Sequence, residues 1–306
     1  MVHQLSLHST IPHTSFAQTV TTLQALTGLI SPEPIATYTL TTKPHNVFKP
    51  KFEPGKVNQI EQYYMECITT WPCEDISLSD VAKPILKGDN ITVDKLFTDG
   101  TDRTWTLQIS DIPIAGKNQV CSAQTIFEST LVHHHTNINI VTDDAHLNES
   151  KMEDVEEIKI EDIDIDIKEN ADKDTKHESS ISQTKKSKDS FLQFLEDLGY
   201  DVINQFWIKG IRFFYGDVII EMYKVFIRND DEAKSSDSAN ESIRLKLLDE
   251  SNTFQIKAYT NIPKSTDVEL KDQGTRELLK LKEILKNSIK FEIPDRIYMD
   301  SRVNNE

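Results

Sequence analysis

The sequence predicts a mainly β protein of the α+β class, an antiparallel β-barrel with a few flanking helices and a long acidic insert. Three observations carry this. Short segments of alternating or β-branched character follow one another in meander order, with an amphipathic helix near each end and no repeat of fixed short period. The acidity is local: between Asp143 and Asp174 stand 14 Asp or Glu and 4 Lys, a net −10, while the other 274 residues carry only −6 of the total −16. The 37% hydrophobic content and mean hydropathy of −0.46 thus describe an ordinary domain diluted by an insert. The expected organisation is one barrel domain in two parts, residues 1–135 and 190–306. Between them lies a disordered insert at 136–189, and a disordered loop is expected at 229–241.

Val2 to Leu7 reads as a short strand. His13 to Leu29 reads as a helix, with Phe16, Val20, Leu23, Leu26 and Leu29 at spacings of three and four, ended by Gly28 and Pro32. Ile35 to Thr42 alternates as a strand, and Pro44 to Gly55 is a Pro-punctuated connection. A short helix is expected between Gln59 and the Trp71-Pro72 break. Arg103 to Ile109 is a strand with Trp105, Leu107 and Ile109 on one face, which reads as core. The loop Pro113 to Gln119 joins it as a hairpin to a longer strand, Val120 to Val132. Order fades from about Thr136. After the insert, Phe191 to Leu198 is a helix capped by Asp189 or Ser190 and ended by Gly199. Two strands follow, Asp201 to Ile208 and Ile211 to Tyr215, then a turn at Gly216 and a long strand, Val218 to Ile227. Ile243 to Leu248 and Thr253 to Asn261 are strands, and Arg276 to Ile289 is a helix with Leu278, Leu281, Leu285 and Ile289 in one stripe.

The composition excludes several function classes. An acidic chain lacks the clustered Lys and Arg that a phosphate backbone demands. No apolar run approaches the roughly 18 residues of a membrane span, and the N-terminal residues lack a secretory leader pattern. Cys67, Cys73 and Cys121 form neither a disulfide framework nor a C-x-x-C pair, so a reducing compartment is expected and the sequons at Asn90, Asn148 and Asn240 are chance matches. His133-His134-His135 has no acidic or thiol partner at ligand spacing and reads as a solvated strand end. There is no G-x-S-x-G, no phosphate-binding glycine loop and no H-E-x-x-H. Barrels that hydrolyse triphosphates carry Glu-x-Glu on a strand, and none occurs here. No catalytic residue, cofactor or metal is expected. Ile163-Asp-Ile-Asp-Ile167 suits strand addition to a partner or an acidic activation segment, but reads more simply as solvated linker.

Several segments resemble the fungal Mediator subunit 18 family of the RNA polymerase II coactivator. The opening Met1-Val2-His3-Gln4-Leu5-Ser6-Leu7 is similar to that family's N-terminus. Trp105-Thr-Leu107-Gln-Ile109-Ser-Asp111-Ile-Pro113, followed by Gly116-Lys-Asn and Gln124-Thr-Ile, resembles its most distinctive strand-and-turn block. Leu198-Gly-Tyr200 with Gly210-Ile-Arg212-Phe213-Phe resembles its next block. Ile293-Pro294-Asp295-Arg296 and Met299-Asp300-Ser-Arg302-Val resemble its C-terminal tail. Residues 45–99 and the insert show no usable similarity. The resemblance implies a non-catalytic barrel related in fold to the triphosphate-tunnel barrels. It also implies nuclear location, pairing with the barrel of Mediator subunit 20, anchoring of a C-terminal helix of subunit 8, and contact with the wider head and polymerase machinery. The motif positions are its candidate structural or interface residues. The competing expectations are a divergent triphosphate-binding or hydrolysing barrel and, more weakly, an acidic adaptor for basic proteins.

Overall fold

The structure is a computed structural model that describes residues 1–45, 62–71, 78–85, 91–116, 119–141, 185–229 and 242–303. It opens with strand β1 (Val2–Ile11), helix α1 (Phe16–Thr27) and strand β2 (Glu33–Pro44). Strand β3 (Met65–Thr70), the single-turn helix α2 (Leu78–Val81), and strands β4 (Ile91–Asp94), β5 (Asp102–Ser110) and β6 (Ser122–His134) follow. Next come β7 (Asn137–Val141), β8 (Lys185–Asp189), helix α3 (Ser190–Asp197), β9 (Tyr200–Tyr215) and β10 (Val218–Arg228). The chain then forms β11 (Ser242–Leu247), β12 (Phe254–Ile262) and helix α4 (Val268–Leu285).

Eight strands bond in the order β12-β1-β6-β5-β3-β2-β9-β10, and β10 pairs back onto β12, so the barrel closes. β11 and β4 extend from the far end of β10, while β7 and β8 form a separate ribbon. Strands from both sides of the insert share the barrel: β1 lies against β12 from His3↔Ile262 to Ile11↔Phe254, and β2 lies against β9.

Side chains alternate across each strand, so closure divides them into outward and lumenal sets. The outward set is apolar and covered by helices. Leu5, Leu7, Ile211, Phe213, Ile220 and Ile256 pack with Phe16, Val20 and Leu23 of α1 and with Leu278, Leu281 and Leu285 of α4. Tyr38, Leu40, Cys67, Trp105 and Trp207 pack with Phe191 and Leu195 of α3. Each of the α4 leucines contributes about 1.5–3 kcal/mol by leaving water. The lumenal set is half-buried and mixed, with Glu66, Gln108, Arg212, Glu221 and Lys257 on the same face as Ile68, Ile208, Ile219 and Val225.

Several expectations need correction. The helix expected before Trp71 is strand β3, with Met65, Cys67 and Thr69 buried at every second position. Pairing with β2 and β5 decides the conformation of this short run. The two strands expected between Asp201 and Tyr215 are one sixteen-residue strand, β9. Gly210 is not a break. A Cβ there would meet Met222 O at 2.3 Å and the Tyr223 side chain at 2.6 Å, so glycine permits the close approach of β10. Helix α4 begins earlier than expected, at Val268, where the Asp267 carboxylate accepts from Leu270 N. Gly28 ends α1 as expected, with φ 71°.

The ends assigned to the insert are also ordered, since β7 and β8 pair from Asn137↔Asp189 to Val141↔Lys185. Residues 142–184 and 230–241, and with them the Ile163 run and the sequons at Asn148 and Asn240, lie outside the described residues. So do residues 46–61, Cys73 and Asn90.

Replacing Gly210 by alanine should destabilise the protein by about 2 kcal/mol or more, read from urea unfolding, because backbone atoms and the Tyr223 Cβ, which moves only with the backbone, occupy the space.

Candidate functional site

The lumen is the natural place to look for chemistry. Glu66 on β3 and Lys257 on β12 stand on opposing walls and attract each other. Burial raises the Glu66 pKa and lowers that of Lys257, and each shift is partly opposed by the other's charge. Arg212 Nε and Nη2 donate to Glu221 Oε1 at 3.0 and 2.6 Å. Tyr259 OH donates to the same oxygen at 3.0 Å, and Lys257 Nζ lies 5.0 Å from the Tyr259 ring centroid. Burial pushes the Tyr223 phenol up to about 12, helped by Glu221 and Glu66. The Cys67 thiol beside Glu66 is likewise pushed up to about 12, first by burial, and is inert. Two cations thus face two carboxylates, and Glu33 adds a third acid 3.9 Å from Arg212. Among the described residues the lumen has no excess positive charge for a polyphosphate and no paired carboxylates on one strand for a metal.

The histidine tract is not simply a solvated strand end. His135 is fully buried, with Nδ1 3.0 Å from both carboxylate oxygens of Asp189. Trp105 Nε1 donates to His135 Nε2 at 3.2 Å. The indole N–H needs a lone pair, which puts the ring proton on Nδ1, facing Asp189. Asp189 Oδ1 also accepts from Phe191 N at 2.7 Å, capping α3, and the Phe191 ring stacks on Trp105 at 4.0 Å. His133 Nε2 lies 2.8 Å from Ser190 Oγ, and burial lowers its pKa. Only His134 points outward, beside Asp102 at 2.7 Å. The acid partner missing from the local sequence is therefore Asp189, 54 residues on. Ligand atoms of His133, His135 and Asp189 lie within 4.8 Å of one another, but both His135 nitrogens are engaged. A metal on Nδ1 would need the proton moved to Nε2, leaving the indole N–H facing another N–H. The cluster is a clasp that holds the two ends of the insert against the barrel.

The chain's last described segment forms a strap. Glu292 exchanges backbone hydrogen bonds with His8 at 2.8 and 2.9 Å. The Asp295 carboxylate then accepts from Ile297 N at 3.1 Å and starts a 3-10 turn, Arg296–Met299. Arg296 Nε donates to Pro113 O at 2.7 Å. Gln124 Nε2 donates to Asp111 O at 2.8 Å and to Met299 O at 3.3 Å, while Ser122 Oγ meets Met299 Sδ at 3.5 Å. Ser301 Oγ donates to Ser110 O, and Tyr63 OH to Asp111 Oδ1 at 3.3 Å. Arg302 forks onto Asp300 at 2.6 Å, and that contact holds the Asp300 carboxyl below its usual range. The turn leaves Ile297 77% and Tyr298 89% exposed, with Ile114 and Ile293 half-exposed nearby. Beside the strap's end lies a cleft of about 400 Å³ bounded by Tyr63, Ile109, Leu198 and Tyr200.

The strap brings together Asp111, Pro113, Asp295, Arg296, Met299, Asp300 and Arg302, with Pro294 half-buried at its start and Gly116 exposed in the adjoining loop. The other motif positions lie elsewhere. Gln4 donates to Asn261 at 3.0 Å, Leu5, Leu7 and Phe213 sit in one core, and Trp105 with Leu107 and Ile109 sits in the other. Arg212 is lumenal. Sequence reasoning missed Glu66, Glu221 and Lys257, because polar residues at alternate positions suggest a solvent face. The usable signal was Glu221 and Lys257 amid otherwise apolar alternation.

A family model described as Med18 protein matches residues 3–302. A Debaryomyces hansenii protein named Mediator of RNA polymerase II transcription subunit 18 is 55% identical over 99% of both chains. A Candida albicans protein of that name is 53% identical, also over 99% of both. A chain in the solved Schizosaccharomyces pombe Mediator head module has the same fold, with TM-score 0.53, 13% identity, and coverage of 95% of this chain and 98% of that one.

Asp189→Ala removes two acceptors from buried donors and should cost about 2–4 kcal/mol in urea unfolding, whereas the exposed His134→Ala should stay within about 0.5. His8 faces the lumen with Nε2 buried and unpaired, and burial, aided by Lys257, lowers its pKa from 6.5 to about 4. The unfolded chain therefore takes up this proton first, and stability falls as pH drops from 6.5 towards 4. His8→Gln should lower the acid-unfolding midpoint by about half a pH unit, followed by circular dichroism.

Proposed function

The chain belongs to the Med18 family, and on that footing we propose that it is a non-catalytic subunit of the Mediator head module. Its work is to hold partner proteins between transcription regulators and the RNA polymerase II machinery in the nucleus. The observation that carries this is the correspondence with Mediator subunits 18 along nearly the whole length of both chains. The lumen adds a physical argument, because its two cations are outnumbered by carboxylates and no observation favours a triphosphate enzyme. The net charge of −16 argues against a nucleic-acid phosphate surface, and no described helix is long and apolar enough to cross a membrane.

The partners of this reading are the barrel of Mediator subunit 20 and the C-terminal helix of subunit 8. The strap is the docking surface that the motif residues favour. Its hydrogen bonds fix a rigid turn, and the turn presents Ile297 and Tyr298 to solvent beside Ile114. Aromatic and aliphatic anchors on a preformed backbone suit a partner groove or helix. The neighbouring cleft, walled by Ile109 and Leu198, has room for large apolar side chains.

Co-expression with subunits 8 and 20 tests both levels. The native chain should co-purify with both in equal amounts, and one that stays monomeric rejects the reading. Ile297→Asp with Tyr298→Asp should weaken recovery of a partner about tenfold or more while leaving the melting temperature unchanged. Unchanged recovery rejects the strap as the surface.

A further inference from the structure

Strand β6 runs for thirteen residues, but its two neighbours cover it unequally. β5 pairs along it from Ser110↔Ile126 to Asp102↔His134, whereas β1 reaches only from Ser6↔Ser122 to Val2↔Ile126. Beyond Ile126, no strand lies on the β1 side of β6 among the described residues. Hydrogen bonds at the two ends of β6 fix which groups face that side. Thr125 O accepts from Asp111 N, and His135 both accepts from Gly100 N and donates to Thr101 O, all at 2.8 Å. Odd-numbered residues therefore turn their backbone groups towards β5, and even-numbered ones turn theirs away. His134 O fits this parity, since it accepts from Ser190 Oγ on the opposite side. The N–H and C=O groups of Glu128, Thr130 and Val132 form a row on this edge, which no described strand covers.

Proteins normally guard such an edge with lysine, proline, a bulge or a covering element. Phe127 to His134 contains neither Lys nor Pro, and its ladder with β5 has no register shift. Phe127 and Val132 are 47% and 70% exposed and lie on opposite faces of the strand. An added strand would gain apolar contact on both faces and pair the three open residues.

Charge selects the occupant. Glu128 stands on the edge, and the stretch from Asp143 to Asp174, with its net −10, leaves the ribbon just beyond Val141. A second copy would bring together two chains each carrying a net −16, while a basic segment is drawn to that charge. We propose that the open edge of β6, at Glu128, Thr130 and Val132, receives an extended, Lys- or Arg-bearing segment of a partner protein as an additional strand. This rests on the scaffold reading above and adds a second docking mode to it, by backbone and not by the strap's side chains.

Amide exchange of the full chain, alone and in the reconstituted head assembly, reads the edge directly. Segment 127–134 should slow about tenfold or more on assembly. A benzoylphenylalanine crosslinker at position 132 should join to a Lys- or Arg-bearing segment of another subunit. Thr130→Pro removes an edge N–H without touching the β5 ladder and should abolish that slowing, whereas Ser129→Pro should break the ladder and lower the melting temperature. Unchanged exchange in an assembly that does form overturns this inference and leaves the proposed function standing. Failure of the native chain to assemble overturns both. Crosslinking to a second copy, or to an acidic segment, also overturns the inference.

Discussion

Barrel closure is the constraint on which the other features depend. Once β10 pairs back onto β12, every barrel strand has one face turned to the lumen and one turned outward. The outward face must be apolar and covered, which is what α1, α3 and α4 provide. The lumenal face holds charge, and charge remote from bulk water must be met by opposite charge. Glu66 with Lys257, on strands far apart in sequence, and Glu221 with Arg212, directly opposite in the β9–β10 hairpin, meet that requirement. A lumen whose two cations are already met by carboxylates leaves little positive field for an anionic substrate.

Closure also brings together strands from both sides of the acidic stretch. The insert enters and leaves at the β7–β8 ribbon, and the His135–Asp189–Trp105 clasp fixes both ends to a packed core. Asp189 serves two neighbours at once, orienting His135 and capping α3. The strap acts similarly at the other end of the chain. It ties the hairpin between β5 and β6 to the segment at Gln62 and Tyr63.

Elements with a clear period were legible in the sequence. The α1 and α4 stripes, the Trp105 face and the α3 cap all follow from local spacing and local capping chemistry. What was not legible depends on distant partners. β3 has too few residues to declare a period, and only its neighbours make it a strand. Gly210 resembles a break until the backbone of β10 is beside it. His135 resembles a solvent-facing histidine because its acid lies across the insert. The lumenal charges resemble surface charges because alternation alone cannot distinguish bulk solvent from an enclosed tunnel. The family motifs located the strap residues without indicating that they meet.

The central claim is that the lumen is electrostatically satisfied and the chain works through its exterior. Calorimetric titration of the purified chain with tripolyphosphate, with and without magnesium or manganese, tests it most directly. The account predicts no saturable binding under either condition. Metal-dependent binding in the micromolar range that disappears in Lys257→Met would contradict it.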